Sequence, residues 1–232
     1  WVGEGEDHFI VEADPPADIM FLVDQSCSMD DNTAILNANF NTFINEISDY
    51  TTNWHVMVVN DDDGCARQDA KYSNVSVLTE TTPNVADAFG DYTLGVNGGG
   101  FFGEPANTEA LLTTAALATS PGKMASCNMG FRRDEALLHV IFVTDEPEQS
   151  SKNWSVLTSE IVANVGAGKV KLSAIAGDVP GGCATADAGT GYYDAVGMTG
   201  GEFLSICAPD WKAYMPLLAS ASVKVNQFDL SS

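Results

Sequence analysis

The run Ile19-Met20-Phe21-Leu22-Val23-Asp24-Gln25-Ser26-Cys27-Ser28 decides how the chain is read. Five consecutive apolar residues suit a strand covered on both faces. That strand stops on a carboxylate, and two hydroxyls follow at alternate positions. Three hard oxygen groups can therefore converge at a strand's carboxyl end, where open α/β sheets place their ligands. An Asp-x-Ser-x-Ser pattern arises by chance in roughly one chain of this length in twenty, so the reading depends on what other segments bring to the same place.

Downstream, a helical stripe of Leu36, Phe40, Phe43, Ile44 and Ile47 runs from Asp31 or Asn32 to Ser48, with Asp and Asn as caps. Trp54 to Val59 is a second strand, and Val75 to Leu78 a short edge strand. Residues 95 to 105 are too glycine-rich for regular structure. A helix from Asn107 or Thr108 to Ala118 carries a tight apolar face of Ala110, Leu111, Thr114, Ala115 and Leu117. Ala136 to Thr144, the most hydrophobic strand, stops on a second carboxylate, Asp145. Helix 154–165, strand 170–176, a glycine-rich loop 177–192, strand 202–206 and helix 211–221, where Pro216 is a candidate kink, continue the alternation. Val223 to Phe228 closes an edge or leaves the domain.

This alternation predicts an α/β fold of three layers, a doubly wound, mostly parallel central sheet with helices on both faces. Right-handed crossovers then bring the carboxyl ends of the first and fourth strands, and so Asp24 and Asp145, to one rim. Residues 1–16, acidic and ending near Pro15-Pro16, read as a polar lead-in, and 17–232 as a single domain. Opening on Trp1 and closing on Leu230-Ser231-Ser232, the chain reads as part of a larger multidomain protein.

Ten Lys and Arg against 32 Asp and Glu give a net charge of −22. Such a chain repels a phosphate backbone and an anionic lipid surface, which argues against nucleic-acid partners. No run is long enough to span a membrane, which argues against direct insertion. Five cysteines, Cys27, Cys65, Cys127, Cys183 and Cys207, lack the spacing of a zinc site. They suit an oxidising compartment with one or two disulfides. Cys183 and Cys207, which flank a glycine-rich segment between two strands, are the first candidate pair, and Cys27, Cys65 and Cys127 compete for a second.

The Asp-x-Ser-x-Ser after the first strand, a Thr opening a central helix and an Asp ending a later apolar strand together resemble the von Willebrand factor A (vWA) domain with its metal-ion-dependent adhesion site (MIDAS). The resemblance spans residues 17 to 222. It implies that Ser26 and Ser28 ligate a divalent cation directly. Asp24 and Asp145 would reach it directly or through water, and Thr108 would join or leave as the site opens and closes. Asn107-Thr108-Glu109-Ala110 departs from the family's glycine-threonine context, with Thr113 and Thr114 as alternatives. Glu146, Asn107 and Gly103 are expected to border the site.

Mg2+ leads as the expected ion, with Ca2+ or Mn2+ as alternatives, because hard cations prefer carboxylate, hydroxyl and water oxygens. A site with few anionic donors invites a carboxylate from outside. The resemblance therefore implies a non-enzymatic adhesion module, extracellular or at the cell surface, with a protein or other acidic partner. Two other readings use the same residues: a metal-dependent hydrolase, and an intracellular chelatase- or assembly-type vWA subunit. Each carboxylate and hydroxyl also has an ordinary role as a turn or cap residue. His55 and His139 fall inside strands and read as core histidines.

Overall fold

A computed structural model describes residues 14–60, 63–94 and 110–223. Five strands, β1 (Ala17–Val23), β2 (Trp54–Val58), β3 (Leu137–Val143), β4 (Val170–Ala176) and β5 (Phe203–Ser205), form one parallel sheet in the order β2-β1-β3-β4-β5. The helices are α1 (Asp30–Ser48), α2 (Val85–Thr93), α3 (Leu111–Ala118), α4 (Pro121–Met124), α5 (Trp154–Val165), α6 (Tyr192–Thr199) and α7 (Met215–Ala221).

Why β1 and β3 are apolar at every position but one each, Asp18 and His139, follows from where they lie. Both are central and buried along their whole length, so alternate side chains enter two different cores. Phe21 and Val23 face one core with Leu36, Phe40 and Phe43 of α1, Phe89 of α2 and Leu218 of α7. Met20 and Leu22 face the other with Leu112 and Ala115 of α3, Leu157 of α5 and Tyr192 of α6. The first core is centred on aromatics: Phe40 stacks on Phe89 with centroids 3.6 Å apart, and Phe21 meets Phe89 edge-on at 5.0 Å. Full burial of one such side chain is worth about 1.5–3 kcal/mol, which is how α1 and α2 are held to the sheet.

After β2 the chain crosses over β1 to begin β3, so winding reverses between β1 and β3. Open α/β sheets form their ligand crevice at such a switch point. Val23 pairs with Val143, and the Asp24 N–H donates to the Val143 carbonyl at 2.9 Å. Asp24 and Asp145 therefore leave adjacent strands side by side.

The strands expected near 19–23, 54–59, 136–144, 170–176 and 202–206, the long first helix and the helix at 154–165 are present, and the three-layer doubly wound architecture is observed. Some details differ. Residues 75–78 form no strand: Val56 makes one antiparallel bridge to Leu78, because a turn at Ser73 and Asn74, both with positive φ, lets the segment touch the sheet only once. The strand before Asp145 is consequently third in the chain, not fourth. Helices α2 and α6 escaped the sequence reading. Each is short and interrupted by glycine, Gly90 and Gly197, and is held by burial of Phe89 and Tyr92 or of Tyr192 and Val196 instead of by propensity. Pro216 does not kink a helix; it sits in the first turn of α7, where its missing N–H costs nothing. The edge at Val223 to Phe228 lies almost wholly outside the described residues.

Candidate metal centre

Four of the five expected ligand residues are described, and the fold gathers all four. Asp24 follows β1 directly and is buried. Its Oδ1 accepts the Ser26 N–H at 2.8 Å, turning the chain back on itself, and its Oδ2 accepts the Thr144 hydroxyl at 2.8 Å. Ser26 is extended and leads into a 3-10 turn, Cys27–Met29, that passes straight into α1. That turn brings the Ser26 and Ser28 hydroxyl oxygens to 2.9 Å from each other. The Ser28 hydroxyl in turn hydrogen-bonds the Asp145 carboxylate, across 117 residues of sequence.

Asp145 is the telling residue. Only 4% of its surface is exposed, and Oδ1 is buried with no hydrogen-bond partner. Burial pushes its carboxyl above the usual range, the Ser28 hydroxyl pulls it back, and the nearby Asp24 charge raises it further. A buried carboxylate oxygen without a donor costs on the order of 1–3 kcal/mol or more. Two carboxylates, one of them with an orphaned oxygen, and two hydroxyls are a donor set that suits a hard divalent cation. The residues therefore fit such an ion. Among the described residues, no group of three or more His, Cys, Asp and Glu is placed to hold a metal; the set gathered here has two carboxylates and two hydroxyls.

Thr108, Asn107 and Gly103 lie outside the described residues. Glu146 is at the rim but turned along it: its N–H donates to the Thr144 hydroxyl and its carboxylate accepts from Gln149 at 2.9 Å. Two contributors were not read from sequence. Thr144 anchors Asp24 from the neighbouring strand, and only the β1–β3 register reveals it. Asp187, exposed on the loop after β4, donates its N–H to the Asp145 carbonyl at 2.8 Å. Gly177 permits that approach, since a Cβ there would lie 1.8 Å from the Asp187 carbonyl oxygen.

The rim loops are tied down covalently. Cys183 and Cys207 form a disulfide, as the sequence suggested, joining the loops after β4 and β5. Cys65 and Cys127 form the second. The two described histidines are remote from the rim. His139 is sealed in β3 between Ser173 and Ser222, and His55 bonds the Phe131 carbonyl near Asp18, at the opposite end of the sheet. No described helix is long and apolar enough to cross a membrane.

The fold is thus a doubly wound α/β fold of vWA type, with a candidate cation site at its switch point. No protein-family model and no curated protein matches the chain. Solved structures do match. Proximal thread matrix protein 1 (PTMP1) from the mussel byssus aligns with a TM-score of 0.55 and 15% identity, covering 93% of this chain and 48% of that one. The same mussel protein with a zinc-occupied MIDAS motif aligns with a TM-score of 0.53 and 17% identity, covering 92% and 47%. Its second crystal form gives 0.51 and 13%, covering 90% and 48%. At these identities the likeness shows the fold, and this chain spans about half the length of the structures it matches.

Proposed function

We propose that the chain is a non-enzymatic ligand-binding module of the adhesion type, acting outside the cell or at its surface. It holds a divalent cation, Mg2+ foremost, with Ca2+ or Mn2+ as alternatives, on Asp24, Ser26, Ser28 and Asp145, with Thr108 as the further ligand the family resemblance supplies. The observation that carries this reading is the orphaned Asp145 Oδ1, buried beside the Ser28 hydroxyl at the sheet's switch point. Bound there, the ion would act as a Lewis acid toward an incoming oxygen donor. Asp24 is already held by Ser26 and Thr144, and the two serines are neutral, so the set has few free anionic donors. A partner's carboxylate completes it. The zinc-occupied MIDAS motif of the mussel matrix protein and the two disulfides support the same reading. The hydrolase reading calls for a general base at the rim, and the two described histidines lie away from it.

Mg2+ and Mn2+ titrated calorimetrically into wild type, Asp24→Ala, Ser26→Ala and Asp145→Asn test this. At a hundredfold excess over Kd the cation should stabilise wild type by about 2.7 kcal/mol and the variants by far less. Undiminished metal affinity in Asp24→Ala and Ser26→Ala would refute the proposal.

A further inference from the structure

We infer that Glu148 is a positioning residue that ties the Asp145 segment to the first turn of α3 and the start of α6, so that cation binding at Asp145 orders the amino end of α3. This rests on the metal-site reading above and adds to it a route by which the site communicates with the helix layer.

The argument begins with α3. The first backbone N–H groups of a helix lack acceptors within it, and Ala110, at the N-cap, has no side chain to offer one. The acceptor comes instead from 36 residues downstream: Glu148 Oε2 takes the Leu112 N–H at 2.9 Å. Its other oxygen takes the Ser150 N–H at 2.8 Å, and its own N–H donates to the Thr190 carbonyl at 3.0 Å. The Leu111 N–H donates to the Tyr192 hydroxyl at 3.3 Å, and that hydroxyl is also hydrogen-bonded to Glu148. One carboxylate thus joins three elements, and its negative charge lies at the positive end of the α3 dipole.

The clamp is tight. Gly191, just before α6, has φ +87°, and a Cβ there would lie 2.7 Å from the Glu148 Cβ. Tyr192 is fully buried, so its hydroxyl has no access to water in exchange for these partners. Between Asp145 and Glu148 stand Glu146 and Pro147. Asp145 and Glu148 are also held to one loop: the Asp145 carbonyl accepts the Asp187 N–H at 2.8 Å and the Glu148 N–H donates to the Thr190 carbonyl at 3.0 Å, and Pro147 between them has a fixed φ, so a shift of Asp145 toward a cation is passed in part to Glu148. A Glu retained only for solubility would not have both oxygens committed to backbone N–H groups of separate segments.

The test pairs Mg2+ calorimetry with residue-resolved amide exchange at Leu111 and Leu112, and at Val140 in the sheet as an internal control. In wild type, saturating Mg2+ should slow exchange at Leu111 and Leu112 and leave Val140 unchanged. Glu148→Ala should weaken Mg2+ affinity about tenfold, the low end of what loss of a ligand-supporting contact costs, and should abolish the Mg2+-dependent slowing. Glu148→Gln, which keeps one carbonyl acceptor, should recover part of both. A purely structural Glu148 would lower stability in Glu148→Ala without touching the Mg2+ response, and that result overturns the inference. If Asp145→Asn abolishes Mg2+ binding while Glu148→Ala leaves affinity and the Leu112 response intact, this inference alone fails. If wild type binds no Mg2+, the metal-site reading fails and takes this one with it.

Discussion

Replacing His139 with Gln should remove most of an acid-sensitive component from the stability of this fold. His139 lies in β3 with no exposed surface, and its two ring nitrogens each meet a serine at 2.7 Å. The hydrogen bonds around it determine its tautomer. The Ser222 hydroxyl donates to the Leu218 carbonyl at 2.8 Å, so Nδ1 must donate to Ser222. Ser173 accepts the Glu202 N–H at 2.9 Å and turns its own proton to Nε2. Every group is satisfied with a neutral ring, and a second ring proton would face the Ser173 hydroxyl proton.

Burial, with a smaller contribution from the Lys171 charge, pushes the His139 pKa down to about 3, against about 6.5 in an unfolded chain. Because the folded pKa is depressed, the stability it contributes is complete above the unfolded value and is lost as pH falls from 6.5 toward 3. The loss accrues at about 1.4 kcal/mol per pH unit, on the order of 5 kcal/mol across the window. Urea unfolding of wild type and His139→Gln at pH 7, 6, 5 and 4 measures it. Carboxylates titrate in both proteins alike, so the difference in slope below pH 6 isolates the imidazole. Parallel curves from pH 6 to pH 4 would refute the buried neutral tautomer.

Two further outcomes follow from other parts of the molecule. Asp18, fully buried at the amino end of β1, accepts from Arg132 at 3.1 Å and from the Arg133 backbone N–H at 2.7 Å and Nε at 2.8 Å. Asp18→Ala should destabilise by about 1.5–3 kcal/mol in urea unfolding because it removes charge-assisted hydrogen bonds to two part-buried arginines, and a loss within the range of a surface substitution would count against this. Removing Cys65–Cys127, which spans 62 residues, should cost about 4 kcal/mol, and removing Cys183–Cys207, which spans 24, about 3, if chain entropy dominates. Unfolding of the two Cys→Ala double variants checks the ranking, and a reversed order contradicts the loop-length argument.

The sequence by itself determined the architecture, because burying a central strand on both faces demands apolar runs such as Ile19 to Val23 and Val140 to Val143, and their short length, in alternation with helical stripes, reads as covered strand. It also placed Asp24 and Asp145 just beyond the ends of two apolar strands, since a carboxylate after an apolar run marks where the chain leaves the core. Helices α2 and α6 were not legible, because the burial of Phe89 and Tyr192 against the sheet overrides their glycines, and burial is not a property of a local window. Thr144 and Glu148 were equally hidden in their roles. Thr144 reaches Asp24 across the β1–β3 register, and Glu148 caps a helix that ended 30 residues before it. Only the tertiary structure decided that Asp145 carries a buried oxygen with no partner. An orphaned acceptor is defined by everything that surrounds it, and no stretch of sequence contains those surroundings.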